Sequence, residues 1–305
     1  MSPTVGLFPG QGSQYSGMGR RLAGSSAAAS LVFDRAEEAT GINVRRLCWN
    51  TLAPELDRTE NAQLALTVFS LAAHSAFEAE GQAEINTFAG HSVGAIAAAA
   101  AAGYLSVESA ASLAAARGRL MAGAPGNGGM IAVAVSPRET AEESHLEGLK
   151  MARSFDLDIA AHNGPRQIVL SGQLASVDKA VKSLGAKAKK ISVSHGFHSR
   201  LMAPVNSEWH EVLDNTDIAE AGRIYIGCTD GRPTLQGGDV LDDLKRGLCN
   251  PVMWSSVMEQ THAFKRLCVF GSGRAILRLA RPYVRKREVM VIGDNARPTG
   301  GTSHG

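Results

Sequence analysis

Gly90-His91-Ser92-Val93-Gly94 has the G-x-S-x-G spacing of a nucleophile elbow. A serine at that point sits on a strained turn between a strand and a helix. The flanking glycines let neighbouring backbones approach, and the first amides of the helix face the reacting oxygen. The chemistry this suits is covalent catalysis through a serine ester. The same five-residue spacing also occurs in ordinary Gly/Ser turns. Here an apolar run, Ile85–Ala89, precedes it and a small-residue stretch, Ala95–Ala102, follows it, as a strand and a helix would.

A serine nucleophile needs a base, and the chain has nine histidines. His198, in VSHGFHSRLMAP, follows an expected strand and stands where a smaller unit rejoins the main one, a place for a cleft. Position alone leaves His195 and His91 as equal competitors, and a structural histidine is the plainer reading of any one of them. Arg117 is more informative. The apolar stripe Ala110, Leu113, Ala114, Leu120, Met121 takes in Arg117 by its i, i+3, i+4 spacing, whereas Arg119 points elsewhere. An inward arginine stays charged and requires an anion or several acceptors. It is either half of a buried ion pair or a fork for a substrate carboxylate. The loop Pro9–Gly19 is rich in glycine, but no G-K-[ST] follows, so it is not a phosphate loop. It is either a flexible turn or a source of backbone amides for an oxyanion.

The elements that must position these residues follow an α/β order. Val5–Pro9 reads as a buried strand, Asn61–Glu80 as an amphipathic helix, and Ile85–Ala89 as a second strand. Gly103 ends the helix after the elbow, and Ser106 caps the next one, which runs to about Met121. After the Gly-rich stretch Ala122–Gly129 the texture changes. Met130–Val135, Leu157–Ala161, Gln167–Leu170 and Lys189–Val193 are strand candidates, with a turn at His162–Arg166. Pro137–Met151 and Ala175–Leu184 are helical. That β-α-β-β-α-β order is the ferredoxin-like pattern. Further strands are expected near Ile224–Gly227, Cys268–Phe270 and Val289–Ile292. The fold class expected is α/β, with a ferredoxin-like small subdomain (125–195) inserted in a large one (1–124 and 196–293). Residues 294–305 are expected to be a mobile tail.

Composition sets the outer bounds. With 305 residues, 44% hydrophobic and 20% charged, the chain is neither disordered, collagen-like nor disulfide-dense. A net charge of +2 and 5% aromatics argue against a nucleic-acid partner. Cys48, Cys228, Cys249 and Cys268 form no CxxC pair, so no metal is expected, and reduced thiols in the cytoplasm are. The N-terminus lacks the basic and apolar regions of a signal peptide. Phe88–Leu105 is long and uncharged, yet its alanines, glycines, serine and histidine suit a packed soluble helix better than a membrane span.

Taken in order, FPGQGSQYSGMG, GHSVG, ARGRLM, HNGPRQIVLSG, GFHSRLMAP and NPVMW extend over roughly residues 6–254. This series resembles the malonyl-CoA:acyl-carrier-protein transacylase family, including the acyltransferase domains of polyketide synthases. The resemblance implies an α/β-hydrolase-like large subdomain beside the ferredoxin-like one. It implies Ser92 as nucleophile and His198 as general base, in a dyad without a carboxylate. A main-chain carbonyl near NPV orients the imidazole, and by motif register it belongs to Gly247, where family members often carry Gln. Gln11 and Val93 would supply the oxyanion amides, Arg117 would hold the malonyl carboxylate, and His91 and Asn163 would line the site.

The activity implied is transfer of a malonyl or related acyl group from CoA to the phosphopantetheine thiol of an acyl carrier protein, in fatty acid or polyketide biosynthesis. CoA thioester is then a substrate, no cofactor is tightly bound, and a monomer is expected. His195-Gly196-Phe197-His198 is similar to the HAFH pattern tied to malonyl selection, where a bulky Phe197 crowds an α-substituent. Ala95 and Val269 stand where glutamates are common; Ala95 together with PRQIV is similar to the transacylase subunit of malonate decarboxylase. An acidic carrier would meet a basic rim, with Lys187, Lys189 and Lys190 or Arg278, Arg281, Arg285, Lys286 and Arg287 as candidates. The alternatives are a polyketide-pathway enzyme loading a non-malonyl group between carriers, a serine thioesterase or esterase, and a non-catalytic carrier-binding scaffold. No triad acid marks the hydrolase reading, and the presence of both dyad residues disfavours the scaffold.

Overall fold

The computed structural model describes residues 3–81, 83–135, 141–284 and 287–294. Ten strands form two sheets. In chain order they are β1 (Thr4–Phe8), β2 (Thr87–Gly90), β3 (Gly128–Ala134), β4 (Asp158–Gly164) and β5 (Gln167–Gln173), followed by β6 (Ala188–Ile191), β7 (Ile224–Ile226), β8 (Pro233–Thr234), β9 (Arg266–Phe270) and β10 (Glu288–Ile292).

The larger sheet has the order β10-β9-β1-β2-β7-β8. Its first five strands run parallel, and β8 pairs antiparallel with β7. β1 and β2 are buried along their whole length, which is why their sequences read as apolar runs rather than alternations. β1 is central, and the chain leaves it for β2 on one side and receives β9 on the other. The crevice beyond the carboxyl ends of β1 and β2 is where an open parallel sheet offers a binding site. Helices Thr59–Ala79 and Val107–Gly123 pack against each other on one side, and a Cβ on Gly118 would lie 2.8 Å from Glu60 Cα. That bare position lets the two helices approach closely.

The second sheet has the order β4-β5-β3-β6, all antiparallel, with helices Ala141–Phe155 and Leu174–Leu184 in the crossovers. This is the ferredoxin-like order expected. Its own small core, including Ile131, Val133, Ile168, Leu170 and Val177, is separate from the main one. The expected turn at His162–Arg166 is shorter than the sequence suggests, because β4 continues through His162 and Asn163 to Gly164. Two register shifts in the β4–β5 ladder accommodate the extra length, and an isolated parallel bridge joins Ala161 to Val252. The amide of His162 donates to Val252 O at 2.8 Å, and that of Val252 to Ala160 O at 2.9 Å. These bonds attach the small sheet to the large unit beside the crevice.

The expected tail begins too early. Asp294 is held in place, its carboxylate accepting from the Gly19 amide at 2.6 Å, the Leu22 amide at 3.0 Å and the Tyr15 hydroxyl at 2.9 Å. Residues 295–305 lie outside the described residues, as do Arg285 and Lys286 of the basic cluster and 137–140 of the expected Pro137–Met151 helix. Among the described residues no helix is long and apolar enough to cross a membrane.

Candidate active site

The elbow is dictated by close packing. A Cβ on Gly90 would fall 2.0 Å from the Gly94 carbonyl carbon, and one on Gly94 would fall 2.3 Å from Phe8 O. Only glycines let β2 turn this sharply against the end of β1. Ser92, at the apex, has φ 54°, in the left-handed region that an ordinary side chain avoids. Helix Gly94–Ala102 starts directly behind it and is almost entirely alanine, so it packs under the sheet without pushing the turn away.

Ser92 Oγ lies 2.7 Å from His198 Nε2. His198, brought in from the segment after β6, also has a φ of 54°. Two strained residues facing each other mark a place where the fold holds side chains against their local preference. His195, the rival, turns away: it is bonded to Ser194 Oγ at 2.8 Å, and its ring stacks on Phe197. His91 is likewise occupied elsewhere, donating through Nε2 to Asn163 Oδ1 at 2.9 Å. Asn163 in turn donates to Gln167 Oε1 at 3.0 Å, so β4 and β5 set the His91 ring.

The carbonyl that orients His198 is not that of Gly247. His198 Nδ1 donates to Asn250 O at 3.1 Å, while Gly247 O accepts from Arg117 Nη2 at 2.9 Å. The reason is local geometry. Gly247 caps the helix Gly237–Arg246, and the chain winds on until the Asn250 amide bonds to Arg246 O. Asn250 therefore reaches the imidazole, and the end of the helix reaches the guanidinium. With Nδ1 donating, Nε2 carries a lone pair and accepts a hydrogen bond from the Ser92 hydroxyl.

Arg117 is 3% exposed and lies on the buried stripe expected of it. Nη1 donates to Gln63 Oε1 at 2.8 Å, and Nη2 also lies 3.4 Å from Ser92 Oγ. Burial lowers its pKa to about 10, which leaves it charged at neutral pH. Gln63 was missed by the sequence reading. It extends a row that begins at Gln11, whose Oε1 accepts from Thr59 Oγ1 at 2.7 Å; Gln63 Nε2 donates to Thr59 Oγ1 at 3.2 Å. The signal was there: Thr59, Gln63, Thr67, Ser70 and His74 put polar groups on a helix that is buried nearly all round.

A cleft of about 1540 Å³ opens between the two sheets, lined by Gln11, Ser92, Val93, Arg117, Phe197 and His198, among others. All the motif residues but Gly247 therefore meet around one space, with His91 and Asn163 on its wall. Val93 is buried and caps the helix behind Ser92, and Phe197 is buried beside the base. Burial, then Arg117 and then His91 push His198 down to about 3, against a smaller opposing effect of the Asn250 carbonyl. Among the described residues no cluster of His, Cys, Asp or Glu is arranged to hold a metal.

A model of the acyl transferase domain matches residues 5–233, three quarters of the chain. The chain belongs to the acyl transferase domain family. It is 33% identical over 302 residues to the malonyl CoA-acyl carrier protein transacylase of Bacillus subtilis (strain 168), covering 96% of this chain and 94% of that protein. It is also 37% identical over 229 residues to polyketide synthase GfsA of Streptomyces halstedii, where the match covers 70% of this chain but only 3% of the synthase. For GfsB of the same organism the covered share is 4%, so this acyltransferase spans a small part of those multidomain relatives. Among solved structures, the acyl-carrier-protein S-malonyltransferase of Bartonella henselae superposes with a TM-score of 0.87 at 29% identity, over 95% of both chains. A malonyl-transacylase solved in complex with its type II polyketide synthase carrier protein gives 0.85 at 26% identity, over 95% of this chain and 96% of that one.

Proposed function

We propose that this acyltransferase moves a malonyl group from CoA, through an ester on Ser92, to the phosphopantetheine thiol of an acyl carrier protein, in fatty acid or polyketide biosynthesis. The observation that carries the reading is the Ser92–His198 pair facing a buried guanidinium whose partners are all neutral. A site of that kind suits an acyl group with a free carboxylate at its far end.

His198 Nε2 takes the Ser92 proton as Oγ attacks the thioester carbon. The negative charge that develops on the carbonyl oxygen falls to the amides of Gln11 and Val93, each such donor contributing roughly 3–4 kcal/mol in comparable sites. The C–S bond breaks, the proton passes from His198 to the departing CoA thiolate, and a malonyl ester remains on Ser92. The carrier thiol gives its proton to His198 and attacks that ester; the C–O bond to Ser92 breaks, Oγ takes the proton back from His198, and the malonyl group leaves as a thioester of the carrier. Arg117 fixes the carboxylate throughout, and Asn250 O steadies the imidazolium while it exists. The backbone carbonyl does the work that a triad carboxylate does in a hydrolase, which favours transfer over the esterase alternative.

The remaining assignments belong to the same proposal: subdomain limits at 125 and 195, a monomer, no tightly bound cofactor, and the cytoplasm, in keeping with four unpaired cysteines. The basic rim for the carrier narrows. Arg287 donates to Thr261 O and Oγ1 and Lys190 is paired with Asp178, leaving exposed Lys187, Lys189, Arg278 and Arg281, the last two at the mouth of the cleft. Intact-protein mass spectrometry after incubation with malonyl-, methylmalonyl- and acetyl-CoA tests the function. A malonyl adduct that carrier protein removes, and that Ser92→Ala lacks, is the expected result; a malonyl adduct persisting in Ser92→Ala refutes the assignment.

A further inference from the structure

Arg117 is a buried cation with a deficit. Its acceptors are the Gln63 amide oxygen, the Gly247 carbonyl and the Ser92 hydroxyl, and among the described residues no carboxylate pairs with it. The charge also sits one hydroxyl away from the base: Nη2 is 3.4 Å from Ser92 Oγ, which is 2.7 Å from His198 Nε2. In that position it opposes the imidazolium that must form whenever Ser92 gives up its proton.

Building on the acyl-transfer reading, we propose that the carboxylate of the incoming acyl group activates His198: by neutralising Arg117 it lets the imidazole take the Ser92 proton, so that diacid groups are selected in the chemical step as well as in binding.

The titratable groups that act directly on the pair agree with this arrangement. From the elbow, His91 faces the base as a neutral ring, its proton affinity lowered by burial and its Nε2–H given to Asn163. Behind the guanidinium, the Cys228 thiol is pushed up by burial and by Asp243, and so carries no charge. The Asp243 carboxylate is already engaged by Tyr225 Oη at 2.6 Å, by the Cys228 and Thr229 amides at 2.9 Å each, and by Thr229 Oγ1 at 2.5 Å. From the loop after the helix Gly237–Arg246, His198 receives only the neutral Asn250 carbonyl. The missing negative charge must come with the substrate. An acetyl group brings none, and leaves guanidinium and imidazolium side by side, both nearly fully buried, where like charges repel more strongly than at the surface.

The proton and electron pairs move as in the proposed reaction; the carboxylate changes only the electrostatic cost of holding the proton on Nε2. A base works best when its proton affinity is near the working pH. A buried imidazole beside an uncompensated cation falls far below that; burial is the larger cause, and pairing the cation removes the second and raises the imidazole again.

The test is the pH dependence of Ser92 acylation at saturating acyl-CoA, read by quenched-flow mass spectrometry, because saturation reports the base in the substrate complex. For the wild-type protein the acid limb with malonyl-CoA is expected at least about one pH unit above that with acetyl-CoA, the shift an opposite charge at this range produces. In Arg117→Gln the acetyl limb should rise by a similar amount. Arg117→Lys, which keeps the charge, should leave the acetyl limb low. Coincident limbs in the wild-type protein overturn the proposal even if no variant folds. Absence of any adduct on Ser92 with either substrate overturns the acyl-transfer reading itself, a different result from coincident limbs.

Discussion

Around Arg117, a single guanidinium draws on three parts of the chain: Gln63 from one helix, Gly247 from the end of another, and Ser92 from the elbow. Removing the Gln63 acceptor should therefore be felt at the substrate. Gln63→Leu leaves a buried charged N–H without its partner, a cost of about 1–3 kcal/mol. The guanidinium is then free to rotate off the carboxylate. We expect KM for malonyl-CoA to rise about tenfold or more, with the loss for acetyl-CoA much smaller; steady-state kinetics with both substrates checks it. Equal losses for the two would mean that Gln63 does not orient Arg117. At this scale the sequence was legible where a residue type is costly in its place. An arginine on an apolar stripe and a serine between glycines could be read without the fold. Gly247 was misplaced because an orienting carbonyl has no side-chain signature, and a three-residue difference in the winding of the loop decides which carbonyl arrives.

The elements divide between those that form from their own pattern and those that depend on a distant partner. Ser106 caps its helix as expected, accepting from the Ser109 amide, and Gly103 closes the preceding helix at φ 97°. Most expected strands fall within two or three residues of their positions. The exceptions need a pairing partner: β4 is extended to Gly164 by its ladder with β5, where Gly164 stands opposite Gln167, and β8 is a two-residue strand existing only against β7. The Gly-rich loop after β1 is another case. It is tied at several points, by Gln14 Nε2 to Asp57 Oδ1 at 2.6 Å, by the Gly17 amide to Cys48 O at 2.8 Å, and by Asp294 at the far end of the chain. Since Gln11 lies on that loop, Asp294→Ala should loosen the amide proposed to receive the oxyanion as well as the fold. The expected outcome is a fall in kcat of about tenfold, with KM for malonyl-CoA changed less than twofold, measured at a temperature where circular dichroism shows the variant folded. The magnitude corresponds to ~1 kcal/mol, the low end of what removing a part-buried acceptor of several donors costs. Gly118→Ala tests the helix pair in the same spirit: with its Cβ 2.8 Å from Glu60 Cα, the helices must separate, at a cost of roughly 1–3 kcal/mol in urea denaturation.

Among the described residues, burial holds histidines neutral in three different places, one of them the cleft. His74 lies beneath the large sheet among the rings of Phe8, Phe88 and Phe270, with Nε2 lacking a hydrogen bond; burial holds it near pKa 4. His162 joins the small sheet to the helix Trp254–Gln260 through Ser255 Oγ at 2.6 Å and is lowered to about 4 by burial and by His145. His198, at about 3, is the third. In the unfolded chain each titrates near the ordinary value of about 6.5. Below that pH the unfolded state binds protons that the folded state refuses, so stability is full above about 6.5 and declines as pH falls toward 4. Each residue contributes up to about 1.4 kcal/mol per pH unit in that window, and these three together up to about 4; His91, lowered by burial beside His198, acts in the same direction. Urea midpoints should therefore be flat from pH 8 to 7 and drop steeply between pH 6 and 4.5. His74→Phe, which places a fourth ring in an aromatic nest far from the cleft, should reduce that slope by up to about 1.4 kcal/mol per pH unit and leave the midpoint at pH 7.5 within about 1 kcal/mol of the wild-type protein. An unchanged slope would show that His74 enters the core already able to carry its proton, with Glu78, 3.6 Å from Nε2, supplying the counter-charge.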